Sequence, residues 1–227
     1  MSALAALLQL SSATLPVGAY SYSQGLESAV ETGHVRDERT ARDWIAMVLA
    51  EGMTPCEAVI VAQALAALTC ADVERLRALN MQFLATRETR ELLAETLQMG
   101  RSMRLLVAAT PGVEATVQDA LLRLEADGGI AYPIAWAVAA AARDLDAHTA
   151  LTGYLYAALE NLVLAAVKIV PLGQNAGQRL LSELGARVDA WAEQARTLPL
   201  AAMTNFLPGQ ILASMHHEHQ HTRLFRS

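Results

Sequence analysis

The sequence is poor in charge and poorer in aromatic residues: of 227 residues, 18% are charged and 5% are Phe, Trp or Tyr. Its apolar content, 53% of the chain, is therefore carried mostly by Ala, Leu and Val. Ala and Leu are the strongest helix formers, and short side chains let helices approach closely. Such a composition favours a compact helical protein with one sizeable core. Only two cysteines occur, Cys56 and Cys70, and they lack Cys-x-x-Cys spacing. That excludes a disulfide framework or a zinc site and fits a reducing, cytoplasmic compartment. A net charge of −6 argues against general attraction to nucleic acid. The N-terminal residues have no basic n-region, so no secretory signal is expected. The apolar stretches Ile130–Ala142 and Leu155–Val170 are interrupted by Pro133 and by Glu160 and Lys168, so no membrane span is expected either.

Catalytic signatures are missing as well. No G-x-x-x-x-G-K-[ST] loop is present to cradle nucleotide phosphates. No G-x-S-x-G elbow, H-E-x-x-H helix or Cys–His nucleophile signature appears. These motifs point to a protein that binds rather than one that reacts.

What is present is helical periodicity from end to end, without a low-complexity linker or a fixed repeat. It predicts a single all-α domain over residues 1–227, with roughly ten helices. Helices are expected at Ser2–Leu10, Gly25–Gly33, Glu88–Val107, Glu114–Asp127, Pro133–Leu145, Leu151–Val170, Gln174–Arg196 and Ile211–His219. Thr40 is read as the cap of a helix carrying Trp44, Ile45 and Val48, and Asp72 as the cap of the helix through Phe83. Thr54, Pro55 and Glu57 read as a fresh helix start, with Thr54 at N-cap, Pro55 at N1 and Glu57 at N3. Ser11–Gln24, rich in Ser, Pro, Gly and Tyr, reads as an ordered loop. Thr110-Pro111-Gly112 breaks the pattern once more.

Four segments stand apart from this background. Leu15-Pro-Val-Gly-Ala-Tyr-Ser-Tyr-Ser-Gln-Gly-Leu-Glu27 pairs a Pro16/Gly18 turn with amphipathic tyrosines and leads into a helix. Arg87-Glu-Thr-Arg-Glu91 is a basic–acidic stripe. Val167-Lys-Ile-Val-Pro-Leu-Gly-Gln174 ends a long apolar helix on a proline–glycine turn. Arg223-Leu-Phe-Arg-Ser227 closes the chain. In this order and spacing they resemble the urease accessory protein F family, the first and last segments most specifically. Ala19 stands where that family commonly has a second glycine.

The resemblance implies an all-helical, dimeric, non-enzymatic scaffold. It implies partners in urease accessory protein D (also called H), the nickel-carrying GTPase urease accessory protein G, and apo-urease. GTP hydrolysis by the GTPase would be coupled to nickel insertion, with nickel as transferred cargo and no tightly bound cofactor. The candidate partner-binding residues are Pro16, Gly18, Tyr20, Ser23, Gln24 and Glu27 in the first segment and Arg87, Glu88 and Arg90 in the second. Lys168 and Gln174 follow in the third, and Arg223, Leu224, Phe225, Arg226 and Ser227 in the last.

Each candidate has a plainer alternative. Tyr20, Ser23, Gln24 and Glu27 suit a partner surface and equally suit a turn locked by its own hydrogen bonds. Glu88, Glu91 and Glu95 suit a solvated face paired with Arg87 and Arg90. Lys168 suits a helix C-terminus as well as an interface. The aromatic–basic tail suits docking better than fraying. His216, His217, His219 and His221 include i, i+3 and i, i+4 pairs able to share nickel. Without a third ligand, they read better as a surface patch. Two rival functions remain: a helical enzyme for a small apolar ligand, with Lys168 or Arg87 in its pocket, and a nickel store built on the histidines.

Overall fold

The structure, a computed structural model, describes residues 1–110 and 113–227, so Pro111 and Gly112 of the expected break lie outside the described residues. It is all-α, with no strand among the described residues. The helices are α1 (Ala3–Leu10), α2 (Leu26–Glu31), α3 (Glu38–Met47), α4 (Val59–Thr69), α5 (Val73–Leu84), α6 (Arg90–Ala108) and α7 (Ala115–Ala126). They continue with α8 (Tyr132–Ala141), α9 (Ala147–Ile169), α10 (Gln174–Gly185), α11 (Val188–Thr197) and α12 (Pro208–His217).

The centre is α8. Every residue from Pro133 to Ala140 is buried, and α4 and α6 pack against it. Ala135, Ala137, Ala139 and Ala140 permit that approach, because small side chains bring helix axes close. Gly100 of α6 is the tightest contact: a Cβ there would sit 1.9 Å from the Ile130 carbonyl oxygen, a backbone atom. On the other side, α9 runs between the N-terminal helices and the α10–α11 pair. One continuous cluster of buried apolar residues joins all these layers. Glu38–Thr69 and Ala147–Ile169 are long and apolar enough to cross a bilayer, but 67% and 56% of their most apolar windows are buried inside the fold.

Local chemistry corrects several sequence expectations. Asp37, not Thr40, caps α3: its carboxylate accepts from the Thr40 N–H at 2.8 Å, and Thr40 returns the bond as the N3 partner. Either residue can cap, and the one preceding the turn takes the role. Thr54 and Pro55 do not start a helix. They lie in a π-helical segment, Val48–Ala58, that joins α3 to α4 without a break. The wider i→i+5 turn accommodates a proline that would clash in a regular α-helix. Glu57 is consequently free of capping duty and turns inward.

The expected helix Gln174–Arg196 divides at Gly185, where the chain bends so that Val188 and Trp191 pack inward from α11. α8 stops at Ala141 rather than Leu145, with Asp144 at φ +54° in the turn. Asp72 caps α5 as expected, through the Arg75 N–H at 2.9 Å.

Gly100→Ala is expected to destabilise the fold by about 2 kcal/mol. The clash with Ile130 outweighs the gain of about 1 kcal/mol in helix propensity. Urea titration followed by far-UV dichroism checks this; an unchanged midpoint would refute the close approach.

Candidate functional site

The first and last motifs of the sequence meet in space, and they meet over α6. The loop before α2 reaches its geometry through three left-handed residues, Gly18 (φ +80°), Gln24 (φ +52°) and Gly25 (φ +82°). Gly25 also faces α12, and a Cβ there would lie 3.2 Å from the Ala213 Cβ and 3.3 Å from the Ser214 amide nitrogen. α12 can therefore press its buried face, Ala213, Ser214 and His217, onto the start of α2.

Glu27, in the first turn of α2, points its carboxylate at the tail. Oε1 accepts from the Leu224 N–H at 2.7 Å and Oε2 from the Phe225 N–H at 2.9 Å. Behind it lies His217, which is fully buried. The His217 Nε2 is 3.1 Å from Glu27 Oε2, and its Nδ1 is 2.8 Å from Glu91 Oε2 on α6. Glu91 Oε1 accepts from Arg223 Nη1 at 2.9 Å. The ring bridges the two carboxyl groups, and each of its N–H groups donates to the carboxyl it faces. The Arg223 guanidinium adds a bond of the stronger, charge-assisted kind to Glu91.

The rest of the tail is held as firmly. The Ser227 carbonyl oxygen accepts from the Ser23 N–H at 2.7 Å and the Ser23 hydroxyl at 2.5 Å. The Arg226 N–H donates to the Ser21 carbonyl at 2.8 Å. The Ser227 hydroxyl donates to Glu95 Oε2 at 2.8 Å, and Gln24 Nε2 donates to Glu95 Oε1 at 3.0 Å. Burial pushes the Glu95 carboxyl up to about 7, against the pull of the Gln24 and Ser227 hydrogen bonds. Phe225 is buried beneath Lys168, whose Nζ lies 5.5 Å from the ring centroid.

Two readings of α6 fail here. Glu91 and Glu95 are buried in the joint rather than solvated, because the tail and α12 cover that face. Arg87 is not their partner either: its Nη1 lies 3.1 Å from Glu57 Oε1, with the two side chains 9% and 13% exposed. Glu88 and Arg90 are exposed; Glu88 accepts from Asn205 Nδ2 at 3.0 Å, and Glu218 Oε1 caps the Arg90 N–H at 3.1 Å.

The histidine patch is also corrected. His217 is interior, and α12 ends there, so His219 and His221 lie beyond the helix and the expected pairings are not on one face. His216, His219 and His221 are exposed, and no cluster of three metal-ligating side chains forms among the described residues.

The remaining candidates surround the joint. Pro16, Tyr20, Lys168, Arg223, Leu224 and Arg226 are exposed, while Ser23, Phe225 and Ser227 are buried in it. Gln174 is exposed at the start of α10 and has no hydrogen bond to the tail.

A family profile described as UreF matches residues 35–185. The chain belongs to the UreF family. It is 54% identical to the urease accessory protein UreF of Azoarcus sp. (strain BH72), over 97% of this chain and 94% of that protein. It is 48% identical to the one of Dechloromonas aromatica (strain RCB), over 99% and 97%. A third, from Janthinobacterium sp. (strain Marseille), is 45% identical over 99% and 98%. The profile match excludes both halves of the tail joint, whereas the full-length relatives span nearly the whole chain. Family membership therefore rests on more than the two motifs that first suggested it.

His217→Ala is expected to destabilise the protein by about 2–5 kcal/mol, since it leaves the Glu27 and Glu91 carboxyl groups without the buried ring that bridges them. A urea midpoint equal to wild type would show that His217 is not the clamp. Glu95 predicts a pH effect. Its folded pKa is raised above the ordinary 4.5, so its stabilising share is fully present below that value and is lost as pH rises through about 7. Urea unfolding at pH 5.5 and pH 8 should show a loss of roughly 2 kcal/mol that Glu95→Gln largely removes. An equal pH response in that variant would assign the effect elsewhere.

Proposed function

We propose that this chain is a non-catalytic urease maturation factor. In this reading it joins urease accessory protein D/H and the GTPase G on apo-urease, coupling GTP hydrolysis to nickel insertion. Nickel is cargo of the assembly, and the chain works as a cytoplasmic homodimer. The observation that carries the reading is the joint itself: the two most family-specific motifs form one surface rather than two. Its interior residues fix the shape, and its rim offers Tyr20, Leu224, Arg223, Arg226 and Lys168 to a partner. Aromatic and arginine side chains on a rigid support are the usual anchors of protein interfaces. The relatives bear the name of urease accessory proteins, which supports the same role.

The nickel-store alternative loses its central ligand. Both nitrogens of His217 face carboxylates, and a metal would have to displace one of these buried bonds. The enzyme alternative keeps Arg87 on a cavity wall, where its charge is paired with Glu57, while Lys168 lies exposed outside that cavity.

Tyr20→Ala and Leu224→Asp alter only exposed side chains and should leave helicity intact. Each is expected to weaken capture of purified accessory protein D/H by about tenfold or more. Lys168→Ala is expected to lower recovery of the GTPase on the preformed pair, and all three should reduce nickel-dependent urease activation in a co-expression assay. Capture at wild-type strength by both rim variants would sink the assignment of this surface.

A further inference from the structure

Glu95 is the carboxyl that ties together the three parts of the joint. It stands on α6, accepts from Gln24 of the loop before α2, and accepts from the Ser227 hydroxyl of the tail. It differs from its neighbours in what holds it. Glu27 has the His217 ring and two backbone N–H groups, and Glu91 has the same ring and Arg223. Glu95 has two neutral donors and, among the described residues, no cation at hydrogen-bonding distance. Its residue is only 6% exposed. Two neutral hydrogen bonds do not offset the loss of water around a buried charge.

The surrounding elements do not supply the missing charge. The π-helical segment presents Glu57, which opposes ionisation of Glu95; Arg87 favours it by less and is already paired with Glu57. α8 and α9 present Tyr132 and Tyr154, whose hydroxyls burial keeps protonated. Along α6, Glu88 is exposed and Glu91 is committed to His217 and Arg223. On α12, His217 is held between Glu27 and Glu91. In the tail, Arg226 turns to Gln98 and Tyr22, and Lys168 of α9 lies over Phe225. Lifting the tail removes Ser227 and lets water reach this face of α6, where a carboxyl ionises readily. Closed and open tails therefore differ in proton content.

We propose that the tail is a proton-controlled latch: closing Arg223–Ser227 over α6 takes up a proton at the Glu95 carboxyl, so mild acid favours the docked tail and rising pH favours its release. The protonated carboxyl keeps both contacts, because the Ser227 hydroxyl accepts as readily as it donates. The latch governs the rim, since Arg223, Leu224 and Arg226 hold their places only while the tail is docked. It belongs to the isolated chain and needs no partner to be observed. Burial pushes Glu95 up to about 7 in the closed state, against an ordinary value of 4.5. The advantage of closure is complete below the ordinary value, declines between the two, and is gone once pH has risen through the closed-state value. From pH 5.5 to pH 8 the ratio of closed to open tail falls about 25-fold.

The test is amide hydrogen exchange on the isotope-labelled full chain at pH 5.5, 6.5 and 8, with protection corrected for the intrinsic exchange rate. The reporters are the Phe225 and Arg226 amides, bonded to Glu27 and to the Ser21 carbonyl. Both should exchange through an opening more frequent than the one that exposes the buried α8 amides. Their protection should fall about 25-fold between pH 5.5 and pH 8. Glu95→Gln, uncharged and of the same shape, should hold tail protection within about twofold across that range, with the α8 amides reporting an intact fold. Wild-type tail protection that ignores pH would overturn the proposal, and this arm stands even if the variant does not fold. A pH response that survives in Glu95→Gln would place the switch on another group, such as His217. Tail amides that open only together with α8 would show that no separate latch exists. Partner capture by the rim variants bears on the docking surface alone and leaves these outcomes untouched.

Discussion

The contact on which the rest of the tail joint depends is the pair of hydrogen bonds from His217 to Glu27 and Glu91. Two carboxylates buried this close would repel each other and suffer the penalty of leaving water. The ring between them, with Arg223 beside it, converts that liability into a joint with direction. One oxygen of each carboxylate is held by the imidazole, which leaves Glu27 Oε1 for the Leu224 N–H and Glu91 Oε1 for Arg223. The tail therefore docks in a single register. Apolar burial of Phe225 adds adhesion, but a hydrophobic contact alone tolerates sliding, whereas two backbone N–H groups on one carboxylate do not.

This arrangement explains why the loop before α2 has its peculiar composition. Gln24 and Gly25 adopt left-handed angles, Ser23 sits beneath the Ser227 carbonyl, and Glu27 emerges one turn later facing the tail. Gly25 answers a second demand, the approach of α12. The exposed Tyr20 and Leu224 are then consequences of the same folding: they lie on opposite partners of the joint, and both face outward once it closes. Interior and rim are thus different outputs of one short motif.

Much of the architecture was legible in the amino-acid order because helices announce themselves locally. Gly33 with φ +76°, the Asp72 cap and the Gly/Pro-rich break before α10 act within one or two turns of the residues that encode them. The tail joint was only half legible. Its two motifs could be named, but nothing in the spacing of Glu91 and Glu95 tells a solvated helical face from one covered by a segment more than 120 residues away in sequence. His217 shows the same limit: among neighbouring histidines it looks like part of a surface patch, and only the packing of α12 on α2 separates it from them. Glu57 failed for a different reason. Thr-Pro-x-Glu is a sound helix start, and the local signal was overridden because the π-helical turn let the chain pass Pro55 without stopping.

That override has a physical consequence at the start of α6. A regular helix through residues 48–58 would rotate Glu57 off its present bearing, since each π turn takes about 4.4 residues rather than 3.6. In its observed position Glu57 meets Arg87 and Tyr154 at once, and Arg87 stacks 4.4 Å above the Phe83 ring. The Arg87 charge is therefore placed by one irregular helix and one aromatic residue, and it is drawn away from the acidic face of its own segment. Glu91 has no bond to Arg87, and His217 and Arg223 are its partners instead. By pairing inward with Glu57, Arg87 leaves Glu91 to the tail and α12, which bring it Arg223 and the ring of His217.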